Sequence, residues 1–171
     1  MPADDRTRLV RQLQGACSGE LAAGYAYRGH WRSLRAGAVR DRIQLIEQEE
    51  WHHRDLVHGL LGDLGAAPNR VREAIFYAIG LTIGMLCRVG GRFIPMYGAG
   101  RLERWNVIEY ETAAEYAVGC GHEEMIECLL RMADVEREHE RFFREQVEGH
   151  PLLKVFRMWE VPPERVERIR I

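Results

Sequence analysis

The stretch Ile46-Glu47-Gln48-Glu49-Glu50-Trp51-His52-His53-Arg54-Asp55-Leu56-Val57 sets a glutamate and a histidine three residues apart inside an apolar helical stripe. Helix positions three, four or seven apart share one face, so Ile43, Ile46, Glu50, His53, Val57 and Leu60 are expected to point the same way. The overlapping pair Glu49 and His52 lies on a face that includes Arg42 and reads as wetter. An ionisable pair in the middle of a core-facing stripe needs a chemical reason, because a buried charge costs several kcal/mol even after the protein relaxes.

The same quartet recurs. Glu136-Arg137-Glu138-His139 falls in the stripe Met125, Leu129, Met132, Glu136, His139, Phe143. A third stripe, Leu9, Leu13, Cys17, Glu20, Gly24, Tyr27, Trp31, places one more glutamate among residues expected to be buried. The remaining helix has two candidate registers. One runs through Leu102, Trp105, Glu109, Ala113 and Tyr116, the other through Val107, Ile108, Glu111, Ala114 and Val118. Four carboxylates converging in a core would unfold a marginally stable domain unless positive charge sits between them. A pair of divalent cations supplies it, with the neutral imidazoles of His53 and His139 completing the coordination. Carboxylate and imidazole donors with open positions suit iron or manganese, whereas closed zinc sites more often recruit thiolates.

Working outward, the first helix is expected from about Asp4 to Leu34 and the second from about Arg40 to Leu61, with the turn around Gly37 between them. Glu20 and Glu50 are nearly symmetric about that turn, so antiparallel packing brings them to one level. Gly62 to Asn69 is turn-rich, and Asn69 is placed to cap a helix starting directly after it. Ala74 to Cys87 carries no charged residue but is shorter than the roughly 20 apolar residues that span a bilayer. Gly90, Gly91, Pro95, Gly98 and Gly100 interrupt the next segment, which puts the start of the third bundle helix near Arg101. Gly119-Cys120-Gly121 makes a short turn, the fourth helix runs to about Glu148, and Leu152 to Trp159 reads as a short apolar helix before a polar tail.

The expected fold is therefore all-α. It is a ferritin-like four-helix bundle of two antiparallel hairpins, with a long apolar helical crossover and a short C-terminal helix. The length of 171 residues suits one domain over 1–171, with the bundle core at about 4–148 and the C-terminal helix and tail at 151–171. The 24 basic residues are interspersed among 26 acidic ones, which gives no case for a nucleic-acid partner. Cys17, Cys87, Cys120 and Cys128 form no CxxC pair, so neither a rubredoxin-type iron centre nor a zinc knuckle is encoded. Reduced thiols and an N-terminus, MPADDRTRLV, without an apolar signal core point to the cytoplasm.

These motifs resemble the demethoxyubiquinone hydroxylases of quinone biosynthesis, a branch of the ferritin-like di-iron proteins. Ser18-Gly19-Glu20 followed by Ala26-Tyr27-Arg28-Gly29-His30 is similar to that family's first-helix motif, and Glu50 and His53 match its first Glu-x-x-His. Val135 to His139 resembles its Glu-Glu-x-Glu-His segment, and Gly100 to Thr112 its third-helix segment. The likeness covers about Gly15 to Phe143. Glu140 stands where the family usually has a second histidine, the hairpin after the third helix is shorter, and the C-terminal apolar segment is only weakly echoed.

The resemblance implies Glu20 and Glu109 as terminal ligands of two iron ions, Glu50 and Glu136 as bridging ligands, and His53 and His139 as nitrogen ligands, with Glu111 the alternative to Glu109. Tyr27 is the candidate for a hydrogen bond near the metals, beside plain core packing. The activity implied is O₂-dependent hydroxylation of a hydrophobic aromatic or quinone-like substrate such as demethoxyubiquinone. No GxGxxG opens a dinucleotide fold, so electrons come from an external reductant such as NADH, a quinol or a partner protein. A ferroxidase or iron-handling protein is the alternative. Residues 75–96 either contact a membrane surface peripherally or simply cover the bundle, and a homo-oligomer is compatible with either arrangement.

Overall fold

The computed structural model describes residues 2–165, with side chains from Asp5 onward. Among these residues the chain is all-helical: α1 Pro2–Ser33, α2 Ala38–Asp63, α3 Arg70–Leu86, α4 Phe93–Cys120 and α5 Ile126–Val147, with 3₁₀ turns at Glu123–Met125 and Pro151–Lys154. The last residues of the expected polar tail, 166–171, lie outside the described part. The chain divides into two compact units, Val10–Gly91 and Met1–Leu9 with Arg92–Ile171.

In the α1–α3 unit, α1 and α2 form an antiparallel hairpin. Cys17 meets Arg54, Gly24 meets Trp51 and Arg28 meets Glu47, so numbers rise along one helix as they fall along the other. All six residues of the α2 stripe are buried, as are Leu9, Leu13, Cys17, Glu20, Gly24 and Tyr27 of α1. The α3 helix begins at the expected cap, where Asn69 Oδ1 accepts the backbone N–H groups of Val71 and Arg72 at 3.1 Å each.

Then α3 runs parallel to α1, with Ser18 near Glu73, Tyr25 near Tyr77 and Gly29 against Gly84. This contact is made by glycines. A Cβ on Gly80 would come within 2.5 Å of the Ala22 carbonyl oxygen, and one on Gly29 would overlap the Gly84 backbone. The glycine face lets the two backbones approach, and the larger side chains of α3 turn away. Ile75 and Met85 are 54% and 62% exposed. No helix among the described residues is long and apolar enough to cross a membrane. Because backbone has nowhere to go, Gly29→Ala is expected to cost about 2 kcal/mol, the scale of an overpacked core. Urea unfolding of the variant measures it, and Gly19→Ala, with open space around its Cα, is the control.

In the α4–α5 unit the two helices are again antiparallel, with Glu111 against Arg137 and Gly100 against Phe143. Here the expected boundaries are corrected. α4 starts at Phe93, not near Arg101, and takes in Pro95, Gly98 and Gly100. Pro95 is tolerated because it is the third residue of the helix, where the missing N–H has no intrahelical partner to lose. At the other end α4 reaches Cys120 and stops at Gly121, whose φ of 80° only glycine adopts readily. The expected helix Leu152 to Trp159 is also corrected: one 3₁₀ turn is followed by irregular chain that is held by side chains of α4 and α5.

Candidate metal centre

Two clusters of buried donors emerge, one in each unit. In the α1–α3 unit Glu20 of α1 and Glu50 and His53 of α2 are 3%, 0% and 2% exposed, and each offers a ligand atom within 4.8 Å of the other two. The hairpin is clamped on both sides of this triad. On one side Arg54 donates to the Cys17 carbonyl at 2.5 Å and pairs with Glu73 of α3, which also accepts from Ser18 Oγ at 3.3 Å. On the other, Glu47 accepts from Arg28 Nε at 2.7 Å and from the indoles of Trp31 and Trp51 at 2.6 and 3.1 Å.

The clamps are electrostatically settled. Burial pushes the Glu47 carboxyl up, but the hydrogen bonds from Trp31, Trp51 and Arg28 outweigh it and hold the group below its usual range. Burial also pushes the Cys17 thiol up to about 11, against the pull of Arg54, so it stays protonated and is a packing residue rather than a thiolate ligand.

In the α4–α5 unit Glu103, Glu136 and His139 are all fully buried, with ligand atoms again within 4.8 Å of one another. Glu136 Oε2 lies 3.3 Å from His139 Nδ1. The glutamate from α4 is not one that the sequence singled out. Glu109 is exposed, so its expected position in the site is corrected. The buried stripe of α4 is Met96, Gly100, Glu103, Val107, Tyr110, Ala114 and Ala117, a continuous three-and-four spacing that the misplaced helix start concealed. Leu102 and Trp105, which headed the other register, are 47% and 55% exposed.

Glu111 is buried, yet its carboxylate receives Arg137 Nη2 at 2.6 Å, which makes it an ion-pair residue. Glu140, also buried, accepts from Arg144 Nε at 2.9 Å and from Trp159 Nε1 at 2.6 Å. Glu49 pairs with Arg42 at 2.9 Å and His52 is exposed, as the wetter face of α2 suggested. Tyr27 is buried on the Glu20 face of α1. His30, near the end of α1, is 2% exposed.

Each triad by itself suits a divalent cation. Two carboxylates bring two negative charges to one buried point, one divalent ion balances them, and the imidazole adds a neutral nitrogen donor. Both donor sets consist of carboxylate and imidazole groups alone.

No family model matches the chain. Neither the curated proteins nor the solved structures give a match.

Proposed function

We propose that the donors of the two triads serve as the ligands of a carboxylate-bridged di-iron centre. In this reading α1 with α2 and α4 with α5 are the hairpins of a ferritin-like four-helix bundle, and α3 is the crossover. The observation that carries it is the repeated donor set: a lone buried glutamate beside a buried Glu-x-x-His, once in each unit. Four carboxylates against two divalent ions leave the pair neutral, with Glu103 taking the place expected for Glu109. When bound, such a metal pair supplies the oxygen activation and redox chemistry that no side chain provides.

The protein's own contribution is placement and exclusion of water. Leu13, Ile46, Val57, Leu129 and Phe143, all fully buried, share the helix stripes that carry the donors and keep those stripes apolar, which lowers the local dielectric. Tyr27, on the same buried face of α1 as Glu20 and about 10 Å from it at helical rise, is our candidate for a hydrogen bond near the metals.

The reaction we propose is O₂-dependent hydroxylation of a hydrophobic aromatic ring or quinone precursor, of the demethoxyubiquinone class, with electrons from an external donor such as NADH. α3 favours this reading over simple iron oxidation. Its exposed apolar side chains give a greasy substrate or a membrane interface something to hold, whereas oxidising Fe(II) requires none.

Iron-loaded protein reduced under argon and then given ¹⁸O₂ with a short-chain demethoxyquinone is expected to yield a product one labelled oxygen heavier by mass spectrometry. Purified protein is expected to hold close to two irons per chain. Repeated Fe(II) oxidation with no labelled organic product would put the chain among the ferroxidases, and stoichiometric zinc in a single site would remove the di-iron reading.

A further inference from the structure

We propose that Trp159 is a positioning residue for the Glu103–Glu136–His139 triad, wedged between the helix that carries the first ligand and the helix that carries the other two. The inference rests on the metal-site reading above. Trp159 lies in the irregular segment after the last 3₁₀ turn, well away in sequence from either helix, yet its side chain is buried.

One edge of the indole lies on α4. It fills the space over Gly100, where a Cβ would overlap the ring and also come 3.1 Å from Phe143 Cβ. Gly100 is one turn before Glu103 on the same buried stripe, so the indole stands where α4 itself has no side chain to interlock with α5. Tyr97, one turn earlier, meets the ring edge-to-face at 5.3 Å between centroids.

The polar edge of the indole holds α5. Nε1–H donates to Glu140 Oε1 at 2.6 Å, and Arg144 Nη2 reaches the same oxygen at 2.5 Å. The Arg144 guanidinium also lies 5.1 Å over the indole and donates to the Trp159 carbonyl at 3.2 Å. Glu140 is the residue after His139 and one turn beyond Glu136. The wedge therefore touches the backbone of α4 just before its ligand and a charged pair on α5 just after its ligands. The strap itself is fixed on both sides, since Tyr97 Oη donates to the Arg157 carbonyl and Arg137 Nη2 to that of Pro163, each at 2.7 Å.

Removing the indole leaves a ring-sized void between a glycine and Phe143, and α4 is then free to slide or turn by a fraction of its pitch. Metal ligands tolerate little of this, and loss of groups that orient ligands typically weakens metal binding by about 10- to 100-fold.

The test is a Co(II) titration of the full chain, followed by the visible bands of the bound ion. Trp159→Gly is expected to bind about 10- to 100-fold more weakly. Its bands at saturation should be altered, and free indole should restore both affinity and spectrum by refilling the slot. Val147→Ala, a core truncation two turns beyond His139, is the control. It is expected to lose comparable thermal stability with wild-type affinity and spectrum.

Wild-type binding by Trp159→Gly, or an equal loss of affinity in Val147→Ala, overturns the proposal. Trp159→Leu, which partly fills the slot, makes the same demand if the glycine variant does not fold: it too must lose affinity, and wild-type affinity in it overturns the proposal. A wild-type chain that takes up no Co(II) overturns the metal-site reading and this inference with it. Wild-type uptake with unaffected variants overturns the inference alone.

Discussion

Glu103→Gln is expected to lose metal binding by at least about 100-fold, since even groups that only orient a ligand are worth up to that much. Glu109→Gln is expected to change nothing. The two substitutions are chemically identical and lie on the same helix, but Glu103 is fully buried beside Glu136 and His139 whereas Glu109 is exposed.

The metal-free protein should respond in the opposite sense. Glu103 and Glu136 are like-charged groups with ligand atoms within 4.8 Å in a buried site, an arrangement that raises the cost of ionising both. Replacing one carboxylate with an isosteric amide keeps the shape and removes that repulsion, so in the presence of a chelator Glu103→Gln should melt no lower than wild type. Calorimetry with and without metal, beside an Fe(II) or Co(II) titration, measures both effects. A Glu103→Gln protein that binds metal like wild type would remove Glu103 from the centre. A Glu109→Gln protein that fails to bind would restore the reading taken from the family resemblance.

That contrast also marks where the sequence was readable. The stripes of α2 and α5 hold no glycine or proline, and that of α1 continues through Gly24 to Tyr27, so the apolar residues set the phase of each, and Glu20, Glu50, His53, Glu136 and His139 are all buried. In α4 the phase is hidden, because Pro95, Gly98 and Gly100 are residues that usually interrupt a helix and point to a start near Arg101. Their tolerance has causes outside local sequence. Pro95 sits in the first turn, and Gly100 is backed by an indole from residue 159, a contact of long sequence separation that no periodicity encodes.

The same contact explains the missing C-terminal helix, because Trp159 is buried against α4 and α5 instead of along an amphipathic face of its own. Glu111 was ambiguous for another reason. Burial alone does not separate an ion-pair carboxylate from a ligand; the Arg137 guanidinium at 2.6 Å does.

His30 stands among polar residues near the end of α1, yet it is buried, and its burial leads to the second large effect. Its Nε2 has no hydrogen-bond partner among the described residues, and burial lowers its pKa from 6.5 to about 4. The folded chain therefore holds this imidazole neutral across a range in which the unfolded chain protonates it. Between these values the unfolded state binds more protons, so stability rises with pH.

The contribution is fully present above about pH 6.5, fades as pH falls, and is gone near pH 4. Two and a half pKa units at 1.36 kcal/mol each make the loss about 3 kcal/mol, a substantial share of the stability of a domain this size. His30→Phe removes the titrating group while keeping a ring of similar bulk in the core. Urea unfolding of metal-free protein at intervals from pH 7 to pH 4 is expected to show that loss in wild type on top of a background common to both proteins. The difference between the two curves isolates His30, because the carboxylates that titrate over the lower part of this range are present in each. Parallel curves would mean that His30 reaches water or a partner when it is protonated, and that the imidazole is not held neutral by burial.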